Sequence, residues 1–520
     1  MKELLHALLL GSAERFPERP ALHFRDDTLT YRQLADAITQ FADAAVARGL
    51  KAGERIAFFL PKQFETAIAI FGTAAAGGVF VPVNPLLKPQ QVAYILRDCN
   101  VRTLITAKGR YEQLKDVLRD CPDLNETVLV DGEVDGTVSW TQFLASANGS
   151  QPHRRIDADV VSILYTSGST GNPKGVVLSH RNMVAGAHSV AEYLENTPDD
   201  RLLAVLPLSF DYGLSQLTTA FSVGASVALM DYLLPNDVIK ACVKHRITGL
   251  AAVPPLWVQL AQLEWPQAAK DTLRYFTNSG GHMPFATLQG LRAQLPKTTP
   301  FLMYGLTEAF RSTFLPPSEV DKRPGSMGKA IPNAEIVVLR EDGSECGPDE
   351  PGELVHRGAL VSLGYWNSPD KTAERFKILP KRVNGLMLPE IAVFSGDTVK
   401  KDADGFLYFI GRKDDMIKCS GNRISPSELE DVVYRQKGIA EVAALGIPHD
   451  TLGQAVVLVL KTTSDYNEAN LLATLKAELP NFMQPQKLII RDNLPRNPNG
   501  KIDRKALSTE YADLFGAAKN

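Results

Sequence analysis

Cysteine is scarce in this 520-residue chain, and so is any excess of charge. Cys99, Cys121, Cys242, Cys346 and Cys419 are odd in number, lie far apart and form no CxxC pair or Cys/His cluster. That excludes a disulfide framework and a structural zinc, and a reducing, cytoplasmic setting is expected. The 56 basic and 59 acidic residues leave a net charge of −3. Non-specific nucleic-acid binding uses clustered positive charge, so no nucleic-acid partner is expected. Long apolar runs are missing too. The longest uncharged run, 66–87, is interrupted by Gly77, Gly78, Pro82 and Pro85. It reads as helix, turn and buried strand at 79–83, not as a membrane span. At the N-terminus, Glu3 and His6 break the Leu4–Leu10 stretch, and Glu14, Arg15, Glu18 and Arg19 follow. This predicts an amphipathic first helix in place of a signal peptide.

The apolar fraction of 44% and charged fraction of 22% are those of a globular enzyme, and the length predicts about three folding units at roughly 150 residues each. Near-continuous apolar strands alternate with helical patterns, as at 55–60, 104–106 and 202–206. That is the pattern of layered α/β structure with largely parallel sheets. After about residue 330, half-exposed strands at 335–340 and 352–356 predict a small β-rich subdomain. A compact α+β module is then expected from Leu407–Ile410, a helix at 426–435, strands at 442–446 and 455–461, and a helix at 467–479. The boundary is placed in Gly411-Arg412-Lys413-Asp414-Asp415, giving domains 1–413 and 414–520. The expected fold class is therefore α/β, with a large layered N-terminal domain and a small mobile C-terminal one.

The most informative stretch is Tyr165-Thr166-Ser167-Gly168-Ser169-Thr170-Gly171-Asn172-Pro173-Lys174-Gly175. A strand enters a loop of Gly, Ser and Thr, then Lys opens another strand. Glycines let backbone approach phosphate oxygens, hydroxyls donate to them, and lysine adds a charge. A flexible surface loop has the same composition. A Walker A loop does not fit, because Gly168 stands six residues before Lys174 and Gly175 follows it.

This loop resembles the signature of the adenylate-forming superfamily, which holds acyl-CoA synthetases, peptide-synthetase adenylation domains and firefly-type luciferases. Further motifs occur in the family's order: Tyr304-Gly305-Leu306-Thr307-Glu308, Ser395-Gly396-Asp397, Gly411 to Lys418, Gly421 to Glu430, and Pro498-Asn499-Gly500-Lys501-Ile502. The resemblance implies a two-step reaction. A carboxylate attacks the α-phosphorus of ATP to give an acyl-adenylate and pyrophosphate, and a thiol then displaces AMP. The demands are positioning and neutralisation of phosphate charge. By resemblance, Lys501 is the adenylation lysine, Thr307 touches the α-phosphate and Glu308 binds Mg²⁺. Thr166 to Gly171 and Lys174 hold phosphates. Gly280, Gly281, Tyr304 and Gly305 frame the nucleotide, Asp397 and Arg412 take the ribose, and Asp414 is the hinge.

Ser209-Phe210-Asp211-Tyr212-Gly213-Leu214 resembles the peptide-synthetase segment whose aspartate binds a substrate amine. A buried aspartate is costly unless a cation pairs with it. The pocket wall implied by the same resemblance is Tyr212, Ser215, Ala252, Phe276, Asn278, Met303, Arg311 and Ser312. The fork of Arg311 suits a second carboxylate. Asp211 and Arg311 together point to an acidic amino acid such as aspartate, methylaspartate or glutamate. The pattern is similar to that of stand-alone enzymes that load such acids onto carrier proteins.

The expected function is an ATP- and Mg²⁺-dependent, AMP-forming acid–thiol ligase, with a phosphopantetheine thiol of an acyl or peptidyl carrier protein as acceptor. The alternative is an acyl- or aryl-CoA synthetase in which Asp211 and Arg311 neutralise each other, with Lys400, Lys401, Arg412, Lys413 and Lys418 as candidates for a CoA-phosphate patch. A non-catalytic nucleotide-binding or carrier-docking protein would not require the adenylation lysine, and nothing selects for a luciferase-type oxygenase.

Overall fold

The computed structural model describes residues 4–166, 173–379, 389–412, 416–419, 422–449, 451–498 and 500–516. Ser167, Gly168, Ser169, Thr170, Gly171 and the expected hinge Asp414 lie outside them.

Helix Leu5–Arg15 buries Leu5, Leu8 and Leu9. Ser12 Oγ donates to the Phe221 carbonyl (2.6 Å), seating this helix on helix Asp211–Val223. The uncharged run folds as helix Phe64–Ala76 and strand Val79–Pro82, joined through Gly77 at φ 85°. Such a left-handed position just past a helix is where glycine carries no steric penalty. Among the described residues no helix is long and apolar enough to cross a membrane.

Two sheets organise the larger part of the chain. A seven-stranded sheet runs Val138–Ser139, Glu126–Leu129, Val101–Thr106, Arg55–Phe59, Val79–Pro82, Val160–Thr166, Lys174–Ser179. It is parallel except for its last pair, in which Thr166 pairs with Lys174 across the Gly-rich loop. Both strands expected on either side of that stretch are present. The second sheet has fourteen strands. Its parallel half contains Pro20–Phe24, Ser226–Leu229, Arg201–Ala204, Gly249–Ala252, Tyr275–Asn278 and Thr299–Tyr304. Beyond Thr299–Tyr304 every pairing is antiparallel, through Thr313–Leu315, Ser326–Ala330, Leu407–Arg412, Ile391–Lys401, Gly352–Gly358 and Ala334–Leu339. The β-rich texture after residue 330 is this antiparallel continuation. One expectation is corrected here. Leu407–Ile410 does not belong to the C-terminal module, because its strand pairs with Ile391–Lys401 and Ser326–Ala330 in the large sheet.

The C-terminal part builds a separate five-stranded sheet around Gly453–Thr462, paired with Ile439–His449, Ile417–Cys419 and Lys487–Ile490. Strand alternation sends Val442, Ala444, Val456 and Leu458 to one apolar cluster and Ala443, Leu445, Val457 and Val459 to another. Helices therefore cover both faces of this sheet.

In open parallel sheets, ligands sit beyond the carboxyl ends of the strands. Here those ends deliver 205–211, 253–254, 279–281 and 305–308, the segments that carry the candidate site. Helix Asp211–Val223 packs its first turn against the end of strand Arg201–Ala204. A Cβ on Gly213 would lie 2.1 Å from the Pro207 carbonyl oxygen. Backbone cannot yield as a side chain does, so Gly213→Ala is expected to cost about 1–3 kcal/mol. A shift of the denaturation midpoint reads this, and an unchanged midpoint would refute the close approach.

Candidate active site

Asp211 opens helix Asp211–Val223, where a carboxylate is favoured by the unsatisfied N–H groups and the helix dipole. Its side chain is buried, and its partner is Arg311. The guanidinium Nη1 donates to Asp211 Oδ2 at 2.7 Å, with side-chain exposures of 2% for Arg311 and 4% for Asp211. Arg311 Nη1 also donates to the Phe310 carbonyl (2.9 Å), Nη2 donates to Ser215 Oγ (2.9 Å), and the guanidinium stacks 4.7 Å from the Tyr212 ring centre. Its Nε is buried and makes no hydrogen bond among the described residues. Thr307 Oγ1 donates to the other Asp211 oxygen at 3.2 Å. In this structure the two charges neutralise one another, the arrangement expected for the acyl- or aryl-CoA synthetase alternative.

The backbone is bent to make this pair. Phe310 adopts φ 55°, ψ −47°, a strained conformation for a bulky residue. Its fully buried ring lies where a Cβ on Gly186 would be, 2.2 Å from that position. The seating of this ring turns the next residue, Arg311, back toward Asp211. Gly305 lies beneath, where an added Cβ would come within 3.3 Å of Arg311 Cα.

The remaining predicted residues sort into those that join this cluster and those that do not. Tyr212 is buried, and its hydroxyl shares a hydrogen bond with Thr277 (2.5 Å). Asn278 ends its strand with Nδ2 donating to the Gly281 carbonyl (3.0 Å), which leaves the buried Oδ1 without a partner. Ala252 and Phe276 are fully buried beside Trp257: the indole N–H donates to the Ala252 carbonyl, and the Phe276 ring sits 5.0 Å away. Met303 accepts a hydrogen bond from the Tyr193 hydroxyl. Ser312 is engaged by His356 (2.9 Å), which burial keeps neutral by pushing its pKa down to about 3. The polar atoms of Met303 and Ser312 are thus engaged by Tyr193 and His356.

A second group gathers around Asp397. This side chain is 4% exposed, receives the Tyr304 hydroxyl in a short hydrogen bond, and meets Arg412 Nε at 3.2 Å. Burial, then the carboxylate beside it, holds the Tyr304 hydroxyl firmly protonated. Ser395 Oγ accepts from the Asp397 backbone N–H.

A third group surrounds Glu308. The Tyr365 hydroxyl donates to Glu308 Oε1 (2.6 Å), and Lys174 Nζ stands 5.2 Å from the Tyr365 ring centre. Burial, then Lys371 and Arg375, lowers the Lys174 pKa, with Glu308 opposing.

Lys501 enters from the C-terminal module. Its Cε would be 2.8 Å from a Cβ on Gly280, which sits at φ 81°, and its Nζ lies 5.5 Å from the Phe210 ring centre. Asn84 Nδ2 donates to the Pro498 carbonyl (3.0 Å), pinning the same loop. Burial lowers the Lys501 pKa to about 8; Arg412 and Arg311 act in the same direction, while Asp211 and Asp397 oppose it. The lysine therefore lies in the field of both acidic clusters. Sequence reasoning missed Phe210, Tyr365 and Asn84. Phe210 and Tyr365 directly adjoin singled-out or Gly-marked positions, Asp211 and Gly364, and Asn84 lies between two prolines, but nothing in their types announces a role.

Comparison with known proteins completes the description. The family profile described as AMP-binding enzyme matches residues 10–366, and that described as AMP-binding enzyme C-terminal domain matches 428–501. The long-chain-fatty-acid–CoA ligase of Escherichia coli O157:H7 is 30% identical over 539 residues, covering 96% of this chain and 93% of that protein. The sulfoacetate–CoA ligase of Cupriavidus necator is 30% identical over 511 residues, covering 97% of each. Among solved structures, ATP-bound MatB from Rhodopseudomonas palustris matches with a TM-score of 0.88 at 27% identity, covering 99% of this chain and 100% of that one.

The buried pair makes a thermodynamic prediction. Removing one member strands the other charge in a dry site, which costs about 3–5 kcal/mol, whereas replacing both with apolar groups can be nearly neutral. Arg311→Met and Asp211→Leu should each lower stability by that amount in denaturant titrations, and the double variant by much less than their sum. Additive losses would mean that the two charges do not depend on each other.

Proposed function

The chain belongs to the AMP-binding enzyme family and is an ATP-dependent, AMP-forming acid–thiol ligase, and we propose that it activates an acidic amino acid of the aspartate, methylaspartate or glutamate type. The observation that carries this reading is the buried Asp211–Arg311 pair beside Thr307 and within the field of Lys501. A zwitterionic side of a substrate is the electrostatic complement of such a pair. Its ammonium can take over one Asp211 oxygen, and its free carboxylate can reach the vacant Arg311 Nε, so neither buried charge loses compensation. The name of one relative, a sulfoacetate–CoA ligase, supports a substrate with a second anionic group.

In this reading the chain's own residues supply positioning and charge. Lys501 places an ammonium between the reacting carboxylate and the α-phosphate, and Thr307 donates its hydroxyl there once released from Asp211. Asp397 accepts from ribose hydroxyls with Tyr304 at the adenine, and Arg412 stands beside them. The Gly-rich loop with Lys174 holds the outer phosphates. A hard divalent cation such as Mg²⁺ would suit the second oxygen of Glu308, whose first oxygen Tyr365 fixes; when bound, it would neutralise phosphate charge. Among the described residues no cluster of three ligating side chains exists. The orientation with Lys501 in the site is that of the first half-reaction. The module from 414 onward would turn about Asp414 for thiol transfer. The acceptor in this reading is the phosphopantetheine thiol of a carrier protein; the direct pairing of Asp211 with Arg311 and the printed names of relatives as CoA ligases favour an acyl- or aryl-CoA synthetase as the second reading.

The test is pyrophosphate release from ATP and Mg²⁺ without thiol, across both aspartate enantiomers, 3-methylaspartate, glutamate, β-alanine, sulfoacetate, benzoate and octanoate. Turnover confined to acidic amino acids, reduced at least a hundredfold in Arg311→Ala, is expected. Preference for octanoate or benzoate would refute the substrate assignment while leaving the ligase chemistry intact. A second expectation concerns pH. Lys501 is charged below its lowered pKa of about 8, so kcat/KM for pyrophosphate release should fall as pH rises through that value, because this ratio reports the free enzyme. A profile flat to pH 10 would contradict the lowered pKa of Lys501 and the desolvation that causes it.

A further inference from the structure

A cleft of about 440 Å³ lies where the edge hairpin Pro20–Thr30 meets the end of helix Pro235–Lys244. It shares no residue with the site described above. Its lining includes Arg19, His23, Arg25, Arg201, Lys244, His245 and Arg246 together with Asp26, Asp27, Asp199 and Asp200. Three of the four carboxylates are neutralised: Asp199 by Arg19 (2.5 Å), Asp26 by Lys244 (2.7 Å) and Asp200 by Arg274 (2.9 Å). Among the described residues, Arg25, Arg201 and Arg246 form no ion pair. Against them stands only Asp27, so two positive charges are left over. The His23 and His245 rings line the same cleft, 5.5 Å apart.

Two of the three arginines occupy backbone positions that suit glycine. Arg25 turns the hairpin at φ 57°, and Arg246 sits just past the end of its helix at φ 50°. Both are left-handed positions, where a side chain is strained and glycine is the usual residue. Two such costs on one cleft, each placing a guanidinium without an acidic partner, call for a compensating role.

We propose that this cleft is a second ligand site, for a compact phosphate-bearing polyanion gripped by Arg25, Arg201 and Arg246 with the two imidazoles as further donors. Guanidinium forks match phosphate oxygens in pairs, and the volume suits a small phosphorylated molecule. The charged neighbours of the histidines set the pH behaviour. Burial and Arg201 lower the pKa of His23; burial, His23 and Lys244 lower that of His245, with Asp26 opposing. Both rings are therefore neutral at pH 7 in the free protein. An anion stabilises their protonated forms, so binding takes up protons and tightens as pH falls.

Inorganic triphosphate is the probe, titrated into the full-length protein while the imidazole signals of His23 and His245 are followed by NMR. The expected result is a shift of both signals toward the protonated position, with tighter binding at pH 6 than at pH 8. Arg25→Gly and Arg246→Gly relieve backbone strain, so each should melt no lower than the parent yet bind at least tenfold more weakly at these two reporters. Triphosphate held at the ATP site alone would leave both histidine signals unmoved. That result, or an unchanged affinity in the Arg25→Gly/Arg246→Gly double variant, would overturn the proposal.

Discussion

The ion pair between Asp211 and Arg311 is the constraint around which the site is arranged. Both side chains are almost wholly out of water, and neither could be so without the other. Three features of the fold serve the pair. Asp211 stands at a helix N-terminus, where its charge is favoured. Phe310 accepts a strained backbone, anchored by a ring that only a glycine at 186 can accommodate, and so delivers Arg311. Ser215, one turn into the same helix, takes a second guanidinium donor. What remains uncommitted is chemically specific: the Nε of Arg311 and the Oδ1 of Asn278 are buried without partners. Unsatisfied buried groups carry a desolvation cost that a bound molecule can remove.

The larger architecture brings chemistry to that pair from three directions. The parallel half of the large sheet ends in the segments holding Asp211, Asn278, Gly280 and Thr307. Its antiparallel half supplies Asp397 and Arg412, the paired residues of adjacent strands. The small C-terminal sheet contributes Lys501, whose alkyl chain leans on Gly280 and whose ammonium faces Phe210. The lowered pKa of this lysine is the electrostatic signature of that insertion, because desolvation outweighs the two carboxylates that would hold its proton.

Much of this was legible in the sequence, for identifiable reasons. The stretch before Lys174 was legible as strand, loop and strand because its flanks are β-rich and its middle is made of Gly, Ser and Thr; that the two strands pair with each other was not. Helix Phe64–Ala76 and its exit at Gly77 followed from apolar continuity closed by a glycine pair. Leu407–Ile410 was misplaced because a strand's periodicity says which faces are apolar but not which sheet it joins, and this one pairs with partners distant in sequence. The roles of Met303 and Ser312 were equally hidden, since their engagement by Tyr193 and His356 depends on contacts more than forty residues away. Asp211 and Arg311 were visible as charges in an apolar setting. That they touch each other is a fact about three-dimensional distance across a hundred residues of chain.

In the proposed function this pair is a lock opened by a substrate carrying both an ammonium and a second carboxylate. A crystal structure of the protein with aspartate and a non-hydrolysable ATP analogue tests it most directly. The 2.7 Å contact between Arg311 and Asp211 is expected to loosen, with the amino group against Asp211 and the free carboxylate on Arg311. An intact pair, with the amino acid absent from the pocket or turned away from both side chains, would contradict it.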